Sequence, residues 1–518
     1  MLLPLTALVG AANVFAFAPF GFWQVQLLTL AFFIWTLCRT TNTKHAALLG
    51  WAYGSGWAMG GIHWLYISLH DFGGMPSWIT LIAISLMALA VGLYSSLAAA
   101  LSLWLRRRWV ASSYLFAMLI FPAIWGLSEW LRGWLLTGFP WLISGYAHTE
   151  SPLSGFVPVI GVYGIGTISA LIAGCLALLA MRKSSVDNKL PALAAILVIF
   201  TGIALQKFDW THPSGKPITV RLIQGNVPQE MKFDPAHIKD SLLLYLNMIT
   251  AHPADLIATP ESAVPLFQTQ LPPDYLNVLA TYAQQNNSTI ALGIPLVEEK
   301  NGRTEYTNSL LSISPHDKQG NYRYDKQHLL PFGEFIPLGF RWFVNMMNIP
   351  LGDFNRGAKI QAPFAVKDQW VQPNICYEDL FGEEIAAQLY DAYSNNKPMA
   401  TMLLNVSNLA WFGNTIALPQ HMQVSQMRSL ETGRPMLRST NTGATAIIDP
   451  HGKIIQQLPF VTRDTLTASV QGYSGVTPYI LFGNYFMLIL SALMLTVPAL
   501  ISRQAQPRTQ QLKRSKNR

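Results

Sequence analysis

Charge is what this sequence has least of. Only 12% of its 518 residues are Asp, Glu, Lys or Arg, about half the roughly 25% of an ordinary soluble domain. Apolar residues make up 51%, and that balance excludes a wholly soluble globule. Cysteine is scarce too, at three. Cys38 and Cys175 fall in long apolar runs, so Cys376 is the one thiol in a polar setting and an internal disulfide framework is excluded. Metal-ligand spacings, phosphate-cradling Gly-rich loops and basic nucleic-acid patches are also missing. No metal, no cofactor and no nucleic-acid partner is expected.

The charge that is present is unevenly placed. Residues 207–477 hold 20 of the 35 Lys and Arg and 23 of the 27 Asp and Glu, while the remainder carries 15 basic residues against 4 acidic ones. Apolar runs of about 20 residues are long enough to cross a hydrocarbon core. Seven occur early, near 2–18, 23–38, 46–69, 77–105, 113–131, 157–181 and 190–206, and an eighth lies near 478–501. Short loops rich in Lys and Arg stay on the cytoplasmic side. Arg39 with Lys44, Arg106 to Arg108, Arg182 and Lys183 with Lys189, and six basic residues after Ile501 mark four such sites. Alternation of eight spans then places the N-terminus inside and residues 207–477 outside. The first run has no basic residues ahead of it and leads into a second span, so a retained helix is expected, not a cleaved signal.

The expected organisation is a seven-helix transmembrane domain over 1–206, an extracytoplasmic α/β domain over 207–477, an eighth span over 478–501 and a basic cytoplasmic tail over 502–518. The tail is expected to be disordered and held near anionic head groups. Inside the spans Glu129 is the main acid, and Arg132 one turn on predicts a local ion pair. Gly50 and Gly54 predict a close helix contact. Within 207–477, β-branched or apolar runs at 218–227, 256–259, 289–297, 308–314 and 399–407 alternate with helical patterns around 235–251, 272–286, 382–394 and 418–432. Such alternation implies a layered sheet with helices packed on it and a site at the strand ends.

Four residues in that region could do chemistry. Cys376, in Asn374-Ile375-Cys376-Tyr377-Glu378-Asp379, ends an extended segment ahead of a helical pattern, so its thiol sits on a bend. Helix amides nearby favour a thiolate, whereas Glu378 and Asp379 oppose it, so a cation or base must come from elsewhere. Glu261 follows a strand directly in Thr259-Pro260-Glu261-Ser262. Lys326 lies in Tyr324-Asp325-Lys326, and Glu334 is enclosed by apolar and Pro residues in Pro331-Phe332-Gly333-Glu334-Phe335. Singly, each reads as well as an ordinary surface or core residue.

Together and in this order, Pro-Glu-Ser, Tyr-Asp-Lys, Pro-Phe-Gly-Glu and Cys-Tyr-Glu resemble the carbon–nitrogen hydrolase, or nitrilase, superfamily over about residues 218–470. The resemblance implies a Glu261-Lys326-Cys376 triad on a four-layer α-β-β-α sandwich. With apolar spans on both sides, and with Leu135-Leu136-Thr137-Gly138-Phe139-Pro140-Trp141, the chain is similar to the apolipoprotein N-acyltransferases, the membrane-bound branch of that superfamily. Trp411-Phe412-Gly413 and Gly433-Arg434-Pro435 through Asn441 agree. Phe233 and Leu409 depart from it, since the family commonly has Trp and Asp there.

What the resemblance implies is a multi-pass enzyme of the bacterial inner membrane with its catalytic domain on the periplasmic side, expected as a monomer. Cys376 would take an acyl chain from a phospholipid as a thioester and pass it to the α-amine of a diacylglyceryl-cysteine apolipoprotein. Glu261 would be the base and Lys326 the oxyanion partner, with Glu334 beside them. Tyr377 and Glu378 would line the pocket. The apolar stretch Phe340 to Met347, with Trp342 and Phe343, reads either as a packed insertion or as a lid touching lipid. A membrane-tethered amidase or lipid hydrolase would keep the triad and use water as acceptor. A transporter would need charged or broken-helix positions at mid-membrane, which are scarce.

Overall fold

The computed structural model describes residues 2–181, 189–300, 302–315, 322–344 and 353–516, and side chains there except those of 343, 344 and 505–516. The chain forms two compact units. One comprises Met1–His63, Leu81–Phe208 and Phe482–Arg518, and the other Trp64–Thr80 with Asp209–Leu481.

The first unit is helical. Asn42 starts the helix Thr43–Ile62 by accepting from the Lys44 amide at 2.8 Å, and Ser112 caps the helix that begins at Ser113 through the Leu115 amide. Such side-chain caps satisfy amides that have no partner inside the helix. Four helices, Ser77–Arg108, Ser113–Thr137, Pro152–Ala180 and Tyr485–Gln504, are long and apolar enough to cross a membrane, and Leu2–Ala16, Trp23–Cys38 and Lys189–Leu205 are shorter apolar helices. Gly50 and Gly54 pack as their spacing predicts. A Cβ on Gly50 would lie 2.4 Å from the Ser95 carbonyl oxygen and one on Gly54 2.6 Å from the Ser95 hydroxyl, so only glycine lets these helices approach.

One expectation for this unit is corrected in its geometry. Glu129 and Arg132 act on each other electrostatically but make no direct salt bridge. Glu129 Oε1 accepts from the Ser144 amide at 2.8 Å and hydroxyl at 2.7 Å, and Arg132 donates to the Leu142 carbonyl at 3.2 Å. Partners supplied by the 142–144 segment displace the one a helical turn away. The helix Tyr485–Lys516 runs on into the basic tail, whose side chains beyond residue 504 lie outside the described residues. Of the basic loop around Arg182 and Lys183, only Lys189 falls in the described residues.

The second unit holds two six-stranded sheets. The first runs β12-β1-β2-β3-β4-β5, with β1 Thr211–Gln224, β2 Leu256–Ala258, β3 Thr289–Lys300, β4 Arg303–Ile313, β5 Tyr322–Asp325 and β12 Asp464–Gly475. The second runs β11-β10-β9-β8-β7-β6, with β6 Phe364–Val366, β7 Gln369–Ile375, β8 Met402–Ser407, β9 Met436–Thr440, β10 Ala446–Ile448 and β11 Ile454–Gln457. The central strands β1, β2 and β3 are parallel, as are β7, β8 and β9, and the outer pairs are antiparallel.

Side chains alternate across each strand, so one strand serves two cores. Val220, Leu222, Leu256 and Ala258 face Val371, Ile375, Leu404 and Leu437 of the other sheet. Ile223, Ile257 and Leu292 point the opposite way, onto the helices Ile238–Thr250 and Tyr275–Asn286. The second sheet covers its outer face with Gly382–Ser394 and Ala417–Thr432. The result is the four-layer α-β-β-α sandwich. Parallel neighbours put the C-terminal ends of β2, β7 and β8 at the same edge, where their loops converge.

Candidate active site

Glu261 stands three residues past the end of β2. Thr259 anchors the turn, its amide donating to the Ala291 carbonyl at 2.9 Å and its hydroxyl accepting from the Gly293 amide at 3.0 Å. Gly293 is required there, since a Cβ would lie 2.2 Å from the Pro260 carbonyl oxygen. Lys326 follows β5, its amide donating to the Asn308 carbonyl on β4 at 2.8 Å. Glu334 closes a tight turn. Its Oε2 accepts from the Leu330 amide at 2.8 Å and its own amide donates to the Leu330 carbonyl at 3.0 Å.

These three meet in one buried cluster. Lys326, 1% exposed, donates to Glu261 Oε1 at 3.2 Å and to Glu334 at 2.9 Å. Asn308 Nδ2 bridges the same two carboxylates, at 2.7 Å from each. Glu261 Oε2 accepts from the Asn408 amide at 2.9 Å. Burial alone would raise the Glu261 carboxyl, but the Lys326 and Lys232 ammonium groups and the N–H donors of Asn308 and Asn408 outweigh it and hold Glu261 below its ordinary range. Burial works against Lys326 as well, and Glu261, Glu334 and Cys376 together raise it.

Cys376 is the first residue after β7, with φ +53°. This left-handed conformation costs a non-glycine residue of order 1–2 kcal/mol and occurs where surroundings enforce it. Here it turns the half-buried thiol out of the strand direction and into a hydrogen bond with the Glu261 side chain. Burial pushes the thiol well above its ordinary range. The Glu261 charge adds to this, Lys326 opposes it and Glu334 adds again. The resting centre is therefore a neutral thiol hydrogen-bonded to an ionised carboxylate that a buried ammonium holds in place. A proton can pass from sulfur to Glu261 as the sulfur attacks an electrophile, without a free thiolate in the resting state.

Glu378 braces the bend. Oε2 accepts from the Ile375 amide at 2.6 Å and the Tyr324 hydroxyl at 3.0 Å, and Oε1 from the Gln327 and His328 amides at 2.6 and 3.2 Å. It thus ties the Cys376 turn to the segment bearing Lys326. Tyr377 is 5% exposed and packs edge-on against Phe381. Behind the bend, Asp379 pairs with fully buried Arg438 at 3.0 Å, and Arg438 also donates to His421 Nδ1 at 2.7 Å. Trp342 stands apart on the turn Arg341–Val344 and is 63% exposed. The Phe343 side chain lies outside the described residues. Phe233 neighbours the Lys232 ammonium, 6.0 Å from its ring centre, and Leu409 is buried core.

Sequence reading missed Asn308, Asn408 and Lys232. Asn308 lies in the middle of β4, where it opens the apolar run 308–314, and Asn408 follows β8, so a polar residue at the edge of an apolar run was their only signal. Lys232, 4% exposed, donates to the Glu261 backbone carbonyl at 2.9 Å, and nothing in its local sequence separates it from a surface lysine.

Residues 9–175 match the family model of the apolipoprotein N-acyltransferase N-terminal domain, and residues 219–479 match that of carbon-nitrogen hydrolases. The chain is 49% identical over 484 residues to the apolipoprotein N-acyltransferase of Ralstonia nicotianae, covering 93% of this chain and 90% of the relative. It is 41% identical over 504 residues to that of Nitrosomonas europaea, covering 97% of each. Among solved structures, an amidase of the nitrilase superfamily from Nesterenkonia AN1 aligns with 52% of this chain and 94% of its own at 15% identity, with a TM-score of 0.37.

Proposed function

The chain belongs to the apolipoprotein N-acyltransferase family, and from that premise we propose that its acyl transfer runs through a thioester on Cys376. Glu261 takes the thiol proton as sulfur attacks the ester carbonyl carbon of a phospholipid, and the Lys326 ammonium stabilises the oxyanion. Collapse breaks the carbon–oxygen bond, and the lysophospholipid leaves with the proton returned by Glu261. In the second half the α-amine of a diacylglyceryl-cysteine apolipoprotein attacks the thioester. Glu261 accepts the amine proton, the carbon–sulfur bond breaks, and the proton returns to sulfur. The products are an N-acylated lipoprotein and free enzyme.

The observation carrying this reading is that base, cation and thiol share one network, with Glu261 hydrogen-bonded to Lys326, Asn308, Asn408 and Cys376. Glu334 is assigned the task of fixing Lys326, and Glu378 and Tyr377 that of holding the Cys376 bend.

The proposed setting is eight membrane spans with residues 207–477 on the periplasmic side of a bacterial inner membrane. Eight apolar segments and the clustering of basic residues in four loops support it. The turn Arg341–Val344, with exposed Leu338, Phe340 and Trp342 close by, is assigned to contact with lipid, since large apolar side chains in water on a short turn gain most by insertion into an interface.

Incubating the purified enzyme with phospholipid should place an acyl adduct on Cys376, detected by mass spectrometry, and Cys376→Ala should abolish both adduct and transfer. Normal turnover by Cys376→Ala would sink the thioester. Release of free fatty acid at full rate without an amine acceptor would favour a hydrolase.

A further inference from the structure

The charges of the acyl-transfer centre do not balance around Lys326. Glu261 and Glu334 are 8% and 4% exposed and share that one ammonium, which leaves one negative charge in excess. The excess persists through the reaction, because proton transfer from Cys376 only moves it from Glu261 to sulfur and then to the oxyanion. A buried uncompensated charge is expensive, and such a site normally takes up a proton instead. A protonated Glu261 cannot act as a base.

Lys232 is placed to supply the missing charge. It ends the short helix Gln229–Lys232, which is tied to the base at both ends. Gln229 accepts from the Asn408 side chain at 2.8 Å, and the Asn408 amide holds Glu261 Oε2. Lys232 Nζ donates to the Glu261 backbone carbonyl at 2.9 Å, and among the described residues no carboxylate pairs with it directly. A lysine that is 96% removed from water with a backbone carbonyl as partner is an unfavourable choice for stability alone. Its charge acts on Glu261 and Cys376.

We propose that Lys232 is a positioning residue of this centre, the second cation that keeps Glu261 ionised and so able to accept the Cys376 proton. The inference rests on the assignment of Glu261 as base. The groups facing Glu261 are Lys326, Lys232, Asn308, Asn408 and Cys376, with Glu334 across Lys326. On the Lys232 segment itself Glu230 is exposed and Asp234 is bonded to His237.

The test compares full-length Lys232→Met and Lys232→Arg with wild type in detergent micelles. The quantities measured are the pH dependence of kcat, and KM for a phosphatidylethanolamine donor with a diacylated peptide acceptor. Lys232→Met should move the acid limb of the pH–rate profile upward by about one pH unit or more, as loss of a neighbouring opposite charge does. It should lower kcat about tenfold or more at neutral pH and leave KM within about threefold. Lys232→Arg should retain the wild-type limb. An unmoved acid limb in Lys232→Met overturns the inference, as does an equal kcat loss in both variants with no change of pH profile. Absence of a Cys376 acyl adduct in wild type would instead overturn the catalytic assignment, so the two failures are separable.

Discussion

Glu378 shows how one side chain can set the geometry of another. Its two oxygens hold amides on both sides of the centre, Ile375 before the nucleophile and Gln327 and His328 after Lys326. Burial pushes the carboxyl up from 4.5 to about 7 against the pull of those amides and of Lys326. Glu378→Gln should lower the rate of acyl-adduct formation by about 10- to 100-fold, the usual effect of misplacing a nucleophile by a fraction of an ångström or more, because an amide NH₂ must then face backbone donors. The adduct rate is followed by mass spectrometry of the Cys376 peptide. A raised native pKa means that the folded state holds the proton more tightly than the unfolded state. The stabilisation is fully present below about pH 4.5 and is lost as pH rises through about 7. Thermal melts of wild type and Glu378→Gln across that window should show the wild-type contribution from this residue shrinking with rising pH. A stability difference independent of pH would refute the assignment.

At the scale of elements, the turn Arg341–Val344 is the test of how the enzyme meets lipid. Trp342 is 63% exposed and Leu338 fully so, which is unlike a packed insertion. Trp342→Ser should raise KM for phospholipid by up to about 30-fold, since about 2 kcal/mol of transferable apolar surface is removed, while the melting temperature barely moves; a parallel loss of stability would return the residue to the core. Elements also explain what the sequence made legible. The strands β1, β3, β4 and β8 and the helices of the sandwich stand out, because each is long enough for its apolar pattern to repeat, whereas β2, three residues long, shows only as an apolar run ahead of a turn. The strands β5, β6, β10 and β11 have three or four residues, too few for any period, and β9 carries buried polar residues such as Arg438 and Ser439 whose partners lie on other elements. The proposed triad could be picked out because Glu261, Lys326 and Cys376 each sit in a distinctive local motif beside a strand end. Asn308, Asn408 and Lys232 could not, because their roles exist only where β4, β8 and the Gln229–Lys232 helix converge. The direct Glu129–Arg132 contact is missing for the same reason, since Ser144, remote in the sequence, supplies the donors that Glu129 Oε1 accepts.

For the whole molecule, chemistry and topology constrain each other. The proposed thioester has to survive until an amine arrives, which favours a site that both lipid substrates reach from the membrane surface, and the acceptor amine has to lie on the same side as Cys376. The segments carrying Arg39 and Lys44, Arg106 to Arg108, Lys189 and the residues after Ile501 should then all face the cytoplasm. Lys453, exposed in the second unit, offers a point of measurement. In intact spheroplasts, Lys453→Cys should react with a membrane-impermeant maleimide under conditions that leave wild type unlabelled. An epitope appended to Arg518 should resist added protease until the membrane is permeabilised. If the Lys453→Cys thiol is labelled only after permeabilisation, or the epitope is lost from intact spheroplasts, the eight-span arrangement fails. The catalytic cluster, whose bonds lie wholly within the second unit, would then need a different source for its acceptor.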